Sequence, residues 1–255
     1  MTEHATSGDR PRSGVVFKPD GSWDTVLCNG MIRSGSTWSY NVALKLLRVA
    51  VGDAVYGDYN ENAAAFLESV PPAVAYRVVK CHMLDGLART WIESGKAKVI
   101  YTCRDLADAA ASFMRMFDFD FDHTFSALQG ALELYRMHRE SGKALILGYQ
   151  GIISRPLESI TSISRYLDLA VSPEIVGRIG DQTSLDSARA RVTELKSGID
   201  ADKLVRFDRF VHDRETLLNL DHIRDGSSGY GRALLTEEQL TRLDLLAKQY
   251  DFSPE

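Results

Sequence analysis

The chain has 255 residues, 44% of them hydrophobic and 25% charged, and a formal net charge of −5. The length allows one large domain with a real core or two small ones, and the balance is ordinary for a soluble globular protein. The acidic net charge argues against a general nucleic-acid binder, and no run approaches the roughly 20 apolar residues of a membrane span.

Residues 1–20 are polar and lack a signal-peptide core, so they read as a flexible tail ahead of a single domain over 21–255. An apolar run over 25–29 reads as a buried strand. Gly30-Met31-Ile32-Arg33-Ser34-Gly35-Ser36-Thr37-Trp38 follows, then a helix over 37–49 with Val42, Leu46 and Val49 on one face. Two more strands are expected over 75–80 and 98–103. The stretch 113–125 sets Phe113, Phe117, Phe119, Phe121 and Phe125 among Asp118, Asp120 and Asp122. It reads as an apolar pocket or lid, or as an amphipathic element with its phenylalanines in the core; the aspartates could instead meet a cationic group. A helix over 126–140 carries Leu128, Leu132 and Tyr135, with Gly142 as its C-cap. A fourth strand covers 144–149, and a helix over 157–167 starts after Pro156. Residues 197–235 mix charges with scattered aromatics and resist assignment. Thr236-Glu237-Glu238-Gln239 is a capping-box pattern that opens the last helix.

The four strands are near-continuously apolar, as in parallel strands covered on both faces. Their alternation with helices predicts a doubly wound α/β sheet, mainly parallel, with helices on both faces. Cys28, Cys81 and Cys103 fall in short apolar runs. An odd, unclustered count gives neither a disulfide framework nor a metal site, and reads as core filler in a reducing, cytoplasmic setting.

Four places carry chemistry. At residues 33–38 a strand turns through small residues into a helix, which aims backbone N–H groups and the positive helix end at one point. The N–H groups of Ser34, Gly35, Ser36 and Thr37 could cradle a phosphate, the hydroxyls of Ser36 and Thr37 could add bonds, Arg33 could neutralise a bridging oxygen, and Trp38 could stack on a purine. The loop lacks the Gly-x-x-x-x-Gly-Lys-Ser/Thr of a Walker A motif. The blander alternative is a helix cap with Trp38 in the core. Lys80 and His82, two apart, point the same way from a strand's carboxyl end, where ligands of open α/β sheets sit. A lysine can stabilise negative charge and a histidine can act as a general base; a surface lysine beside a backbone-satisfied histidine is the plainer reading. Arg104 ends the next strand, with Asp108 and Ser112 one helical turn apart, giving a second anion site or a surface Arg104–Asp108 pair. Arg224-Asp225-Gly226-Ser227-Ser228-Gly229 is a loop able to close over an anion, or a plain turn.

In this order the motifs resemble those of the sulfotransferases that use 3′-phosphoadenosine 5′-phosphosulfate (PAPS). Residues 32–38 are similar to that family's Pro-Lys-Ser-Gly-Thr-Thr-Trp loop, and Lys80-Cys81-His82 to its Lys-Thr-His. Tyr101, Arg104, Asp108 and Ser112 match the 3′-phosphate motif Tyr-x-x-Arg-Asn-Pro-x-Asp-x-x-x-Ser. Tyr149-Gln150-Gly151-Ile152 resembles Tyr-Glu-Asp-Leu. Arg224, Gly226, Gly229 and Thr236 match Arg-Lys-Gly-x-x-Gly-Asp-Trp-Lys-x-x-Phe-Thr. Arg33 stands for the usual lysine, Asp105 and Asp225 for asparagine and lysine, and Gly231 where a tryptophan is common.

The resemblance implies a P-loop-like three-layer fold and sulfuryl transfer from PAPS to a hydroxyl of a small-molecule acceptor, such as a secondary metabolite. It makes His82 the base and places Lys80 and Arg33 on the sulfuryl side. Residues 34–37 would hold the 5′-phosphate, and Trp38 and Tyr149 would lie by the adenosine. Arg104, Ser112, Arg224 and Gly226 would hold the 3′-phosphate. No metal is called for, since arginine and lysine supply the counter-charge. A P-loop nucleotide kinase and a non-catalytic nucleotide-binding module of the same fold are the alternatives. The sequence gives no acceptor identity and no oligomeric state, and a homodimer is compatible with it.

Overall fold

Strands and helices alternate as the sequence predicts. In this computed structural model, which describes residues 14–17, 19–207, 210–221 and 228–254, the first half runs β1 (Val15–Phe17), β2 (Thr25–Gly30), α1 (Ser36–Val51), β3 (Val55–Tyr59), α2 (Ala63–Ser69), β4 (Tyr76–Cys81), α3 (Gly86–Glu93), β5 (Ala97–Cys103) and α4 (Leu106–Phe117). The second half runs α5 (Phe121–Ser141), β6 (Ala144–Gly148), α6 (Tyr149–Ser154), α7 (Pro156–Tyr166), β7 (Leu169–Val171), α8 (Pro173–Gln182), α9 (Leu185–Lys196), β8 (Leu204–Phe207), β9 (Phe210–Asp213) and α10 (Glu237–Gln249).

The central sheet is parallel throughout, in the order β3-β4-β2-β5-β6. Successive side chains alternate between its faces. Leu27, Val79, Val99 and Tyr101 join one buried cluster with residues of α3, α4, α5 and α10. Val26, Cys28, Val78 and Ile100 join another with residues of α1, α7 and α8. Both faces are therefore covered, which is why the strands read as continuous apolar runs. The three cysteines are free and buried. β2 lies in the middle, with β4 on one side and β5 on the other, so the chain reverses its winding there. The carboxyl ends of these three strands are where sheets of this kind form the crevice that takes a ligand.

Several boundaries differ from the sequence reading. β3 was not expected: it is an edge strand, half exposed, and Gly57 and Asp58 interrupt its apolar pattern. Gly57 has a packing reason, since a Cβ there would lie 2.6 Å from the Tyr40 hydroxyl. Val15–Phe17, expected within the tail, pairs antiparallel with β7. The Phe-rich stretch is neither a loop nor one continuous element but the end of α4 and the start of α5. Asp118 breaks the helix in the left-handed conformation (φ 57°) and the Asp120 carboxylate caps the next by accepting from the His123 N–H. Phe113 and Phe121 are buried, while Phe119 is exposed. Tyr149 starts α6 rather than ending a strand. Within 197–235 the chain forms the β8–β9 hairpin. The last helix has the full capping box between Thr236 and Gln239.

Candidate active site

The loop between β2 and α1 is set by close packing. A Cβ on Gly30 would lie 2.3 Å from the Thr102 hydroxyl on β5. The Met31 N–H donates to the Thr102 carbonyl (2.9 Å), and the buried Ser34 hydroxyl bonds Met31 and Thr102. Arg33 (φ 63°) and Gly35 (φ 97°) are both left-handed. That turn starts α1 without a side-chain cap, and the first helical bonds come from the Trp38 and Ser39 N–H groups to the Gly35 carbonyl. The N–H groups of Ser36 and Thr37 are left with no helical partner and face the crevice end of the sheet. The Ser34 hydroxyl is committed to the fold, so only its backbone can meet a ligand. Trp38 is half-buried against the α1-side cluster.

At the end of β4, Lys80 and His82 converge. Lys80 Nζ lies 3.4 Å from His82 Nε2, and His82 Nδ1 lies 2.8 Å from the Gly30 carbonyl. A carbonyl only accepts, so Nδ1 carries the proton of the neutral ring and Nε2 keeps its lone pair. Burial, then the neighbouring Lys80 charge, push His82 down to about 3. Burial pushes Lys80 down to about 8, opposed by Glu61. The ring is thus neutral at physiological pH, with its basic nitrogen beside a cation.

Glu61, in the loop after β3, was not singled out in the sequence. Its carboxylate accepts from the His82 N–H (2.9 and 3.0 Å), the Met83 N–H (2.7 Å) and the Tyr59 hydroxyl (2.9 Å). The Tyr59 ring lies under Lys80, with Nζ 4.8 Å from its centroid.

At the end of β5, the Arg104 guanidinium is buried, 3.3 Å from Asp108 Oδ2, and stacks 4.0 Å from the Tyr149 ring centroid. The Arg104–Asp108 pair is therefore internal rather than a surface pair. Asp108 also accepts from the Gly229 and Gly231 N–H groups, both at 2.8 Å, so it latches the 228–231 loop onto α4. A Cβ on Gly231 would lie 2.2 Å from the Ala107 backbone, which leaves no room for a tryptophan. Asp105 caps α4 by accepting from the Asp108 N–H, a task aspartate performs as well as asparagine. The Arg33 side chain reaches across from the first loop, and its Nε donates to the Ser112 hydroxyl at 2.9 Å. Arg33 thus bonds to the Ser112 side of the crevice, while its charge still reaches Lys80 and His82. Arg224, Asp225 and Gly226 lie outside the described residues.

A cluster of aromatic rings joins the end of α4, the 118–120 turn and β9. Phe117 lies 4.7 Å from Phe113, 5.4 Å from Phe119 and 5.1 Å from Phe210 of β9, between ring centroids. His212 shares a strand face with Phe210, and burial, then the charge of Lys80, lower its basicity. The aspartates of the Phe-rich stretch are structural: Asp118 and Asp120 cap helices, and Asp122 pairs with Arg242 at 2.8 Å.

A helix N-terminus, a Lys–His pair and a second cationic centre thus sit at three neighbouring strand ends. A model of the sulfotransferase domain matches residues 24–249, and the chain belongs to the sulfotransferase family. That family match speaks against the kinase alternative. No curated protein matches it by sequence. Among solved structures, mouse SULT7A1 complexed with PAP superposes with a TM-score of 0.65 at 16% identity, over 90% of this chain and 85% of that one. Retinol dehydratase with retinol and PAP gives 0.63 at 16%, over 91% and 82%. The same protein with androsterone and the inactive cofactor PAP gives 0.60 at 17%, over 89% and 80%. At these identities the likeness is one of fold.

Proposed function

We propose that this enzyme moves the sulfuryl group of PAPS to the hydroxyl of an apolar small-molecule acceptor, with His82 as general base. The observation that carries the reading is the His82 ring: its Nδ1 is held by the Gly30 carbonyl, and its lone-pair nitrogen faces the crevice beside Lys80. The donor set suits a nucleotide with phosphate at both ends. Uncapped N–H groups of α1 would hold the 5′ side, and Arg104 and Ser112 the 3′ side. Tyr149, stacked on Arg104, would border the adenosine with the open part of Trp38. Arg224 and Gly226 remain expectations from the motif alone.

When bound, PAPS supplies a sulfuryl group on a good leaving phosphate. The chain's own contribution is positioning and charge, as in phosphoryl transfer. His82 Nε2 takes the acceptor's hydroxyl proton as its oxygen attacks. Lys80 offers positive charge to the peripheral oxygens. Arg33 would swing from Ser112 to share that task once an anion competes for it. No metal is needed for this counter-charge. The acceptor would lie against Tyr59, whose ring carries Lys80, and the exposed Met83 next to His82, with the Phe113–Phe117–Phe119–Phe210 cluster as a further apolar surface. A cytoplasmic location is supported by the three free, buried cysteines; among the described residues no helix is long and apolar enough to cross a membrane.

The test is turnover of PAPS with a panel of phenols, sterols and retinoid alcohols. We expect release of PAP that depends on the acceptor and is lost in His82→Ala. Tight PAP binding without transfer to any acceptor would favour a non-catalytic nucleotide-binding module.

A further inference from the structure

The carboxylate of Glu61 is the most heavily bonded acceptor around the Lys80–His82 pair, and the motifs do not account for it. β4 ends at Cys81, so the His82 and Met83 N–H groups have left the ladder with β2 and β3. Glu61 takes both, each at under 3.1 Å, and also the Tyr59 hydroxyl. Tyr59 is held opposite Lys80 by the β3–β4 register, and its ring carries the Lys80 ammonium. The carboxylate therefore ties the base's backbone and the platform of its neighbouring cation to one point.

We propose that Glu61 is a positioning residue: it clamps the His82–Met83 turn so that His82 Nε2 stays at the crevice, and through Tyr59 it holds the ring on which Lys80 lies. The inference rests on the sulfotransferase reading with His82 as base. Glu61 also acts electrically. Among the described residues, Lys80 is faced by Glu61 and Tyr59 from the β3 side, Cys81 on β4 and His82 just after it, Cys28 on β2, Arg33 from the first loop and His212 on β9. Glu61 is the one carboxylate in that set. It opposes the burial that draws Lys80 toward neutrality, and Arg33 works in the opposite direction.

The test is Glu61→Gln, which keeps size and removes the charge. Oε2 accepts from both the His82 and Met83 N–H groups, while Oε1 shares the His82 N–H and accepts from Tyr59; an amide can keep only one of these oxygens and sets an NH₂ against the other donors. We expect kcat to fall on the order of 10²-fold, as for a misplaced catalytic group, with PAP affinity within about 3-fold of wild type as evidence of an intact fold. The midpoint for acetylation of Lys80, followed by mass spectrometry against pH and independent of turnover, should move below the wild-type value of about 8. The alkaline limb of kcat should move with it. Tyr59→Phe, which keeps the ring and loses one bond to Glu61, should leave the Lys80 midpoint in place and lower kcat only a few-fold. An unchanged kcat, or an unchanged Lys80 midpoint in Glu61→Gln, overturns the proposal. A wild type that transfers nothing overturns the sulfotransferase reading instead, while the Lys80 midpoint still reports on Glu61.

Discussion

Gly231→Ala should loosen nucleotide binding without touching the nucleotide. The added methyl would lie 2.2 Å from the Ala107 carbonyl carbon and oxygen and 2.4 Å from the Asp108 nitrogen. These are backbone atoms in the first turn of α4, so the 228–231 loop must withdraw. Ordinary contact begins near 3.4 Å, which requires a shift of about 1 Å. The Gly229 and Gly231 N–H bonds to Asp108, now 2.8 Å, would then approach 4 Å and cease to be hydrogen bonds. Each such bond to a charged group contributes roughly 1.5–3 kcal/mol, and about 1.4 kcal/mol is tenfold in affinity. The loop carries the chain on from Arg224 and Gly226, expected at the 3′-phosphate. Both bonds together hold the loop by about 3–6 kcal/mol, of which the bound nucleotide must repay only part, so the dissociation constant for PAP should rise by at least about 10- to 100-fold. Calorimetric titration measures it, with circular dichroism to show that the helices persist. Wild-type affinity in Gly231→Ala would refute the latch.

Three further outcomes follow from the same geometry. His82→Ala should lower turnover by about 10²- to 10⁴-fold, the usual contribution of a general base, while PAP affinity changes little; undiminished turnover removes His82 from the base role. His138 is buried on α5, bonded to Asn29 Oδ1 at 3.1 Å, and burial pushes it down to about 4. The folded state keeps the ring neutral, so its stability is full above about 6.5 and is lost as pH falls toward 4. Between pH 7 and 5 that loss is about 2 kcal/mol, visible as a lower urea midpoint at pH 5, and His138→Gln should flatten it. Ser112→Ala removes the acceptor of the Arg33 Nε bond and should weaken PAP binding about tenfold or less, since one neutral hydroxyl is lost; a hundredfold loss would mean that the hydroxyl does more than hold a phosphate and Arg33.

What could be read from the sequence was whatever the chain writes locally. Strands buried on both faces announce themselves as apolar runs, so β2, β4, β5 and β6 were placed within a residue or two. β3 escaped because an edge strand is half solvated and because Gly57 makes room for Tyr40. Lys80, His82 and Arg104 were legible because the carboxyl ends of parallel strands are where such sheets meet ligands. Glu61 was not: its role depends on a strand the pattern hid and on a register that sets Tyr59 opposite Lys80. Asp108 looked like half of a surface pair because the partners that bury it, Gly229 and Gly231, lie more than a hundred residues away. The direction of the Arg33 side chain, toward Ser112, is a tertiary fact with no local signal.

The central claim is a site for a nucleotide phosphorylated at both the 3′ and 5′ positions, and calorimetric titration with PAP tests it most directly. The account predicts one PAP per chain, far weaker binding of adenosine 5′-monophosphate, and no requirement for Mg²⁺. It also predicts that Arg104→Ala weakens PAP much more than His82→Ala does. Equal affinity for the two nucleotides, or an Arg104→Ala variant that binds PAP like wild type, would contradict it.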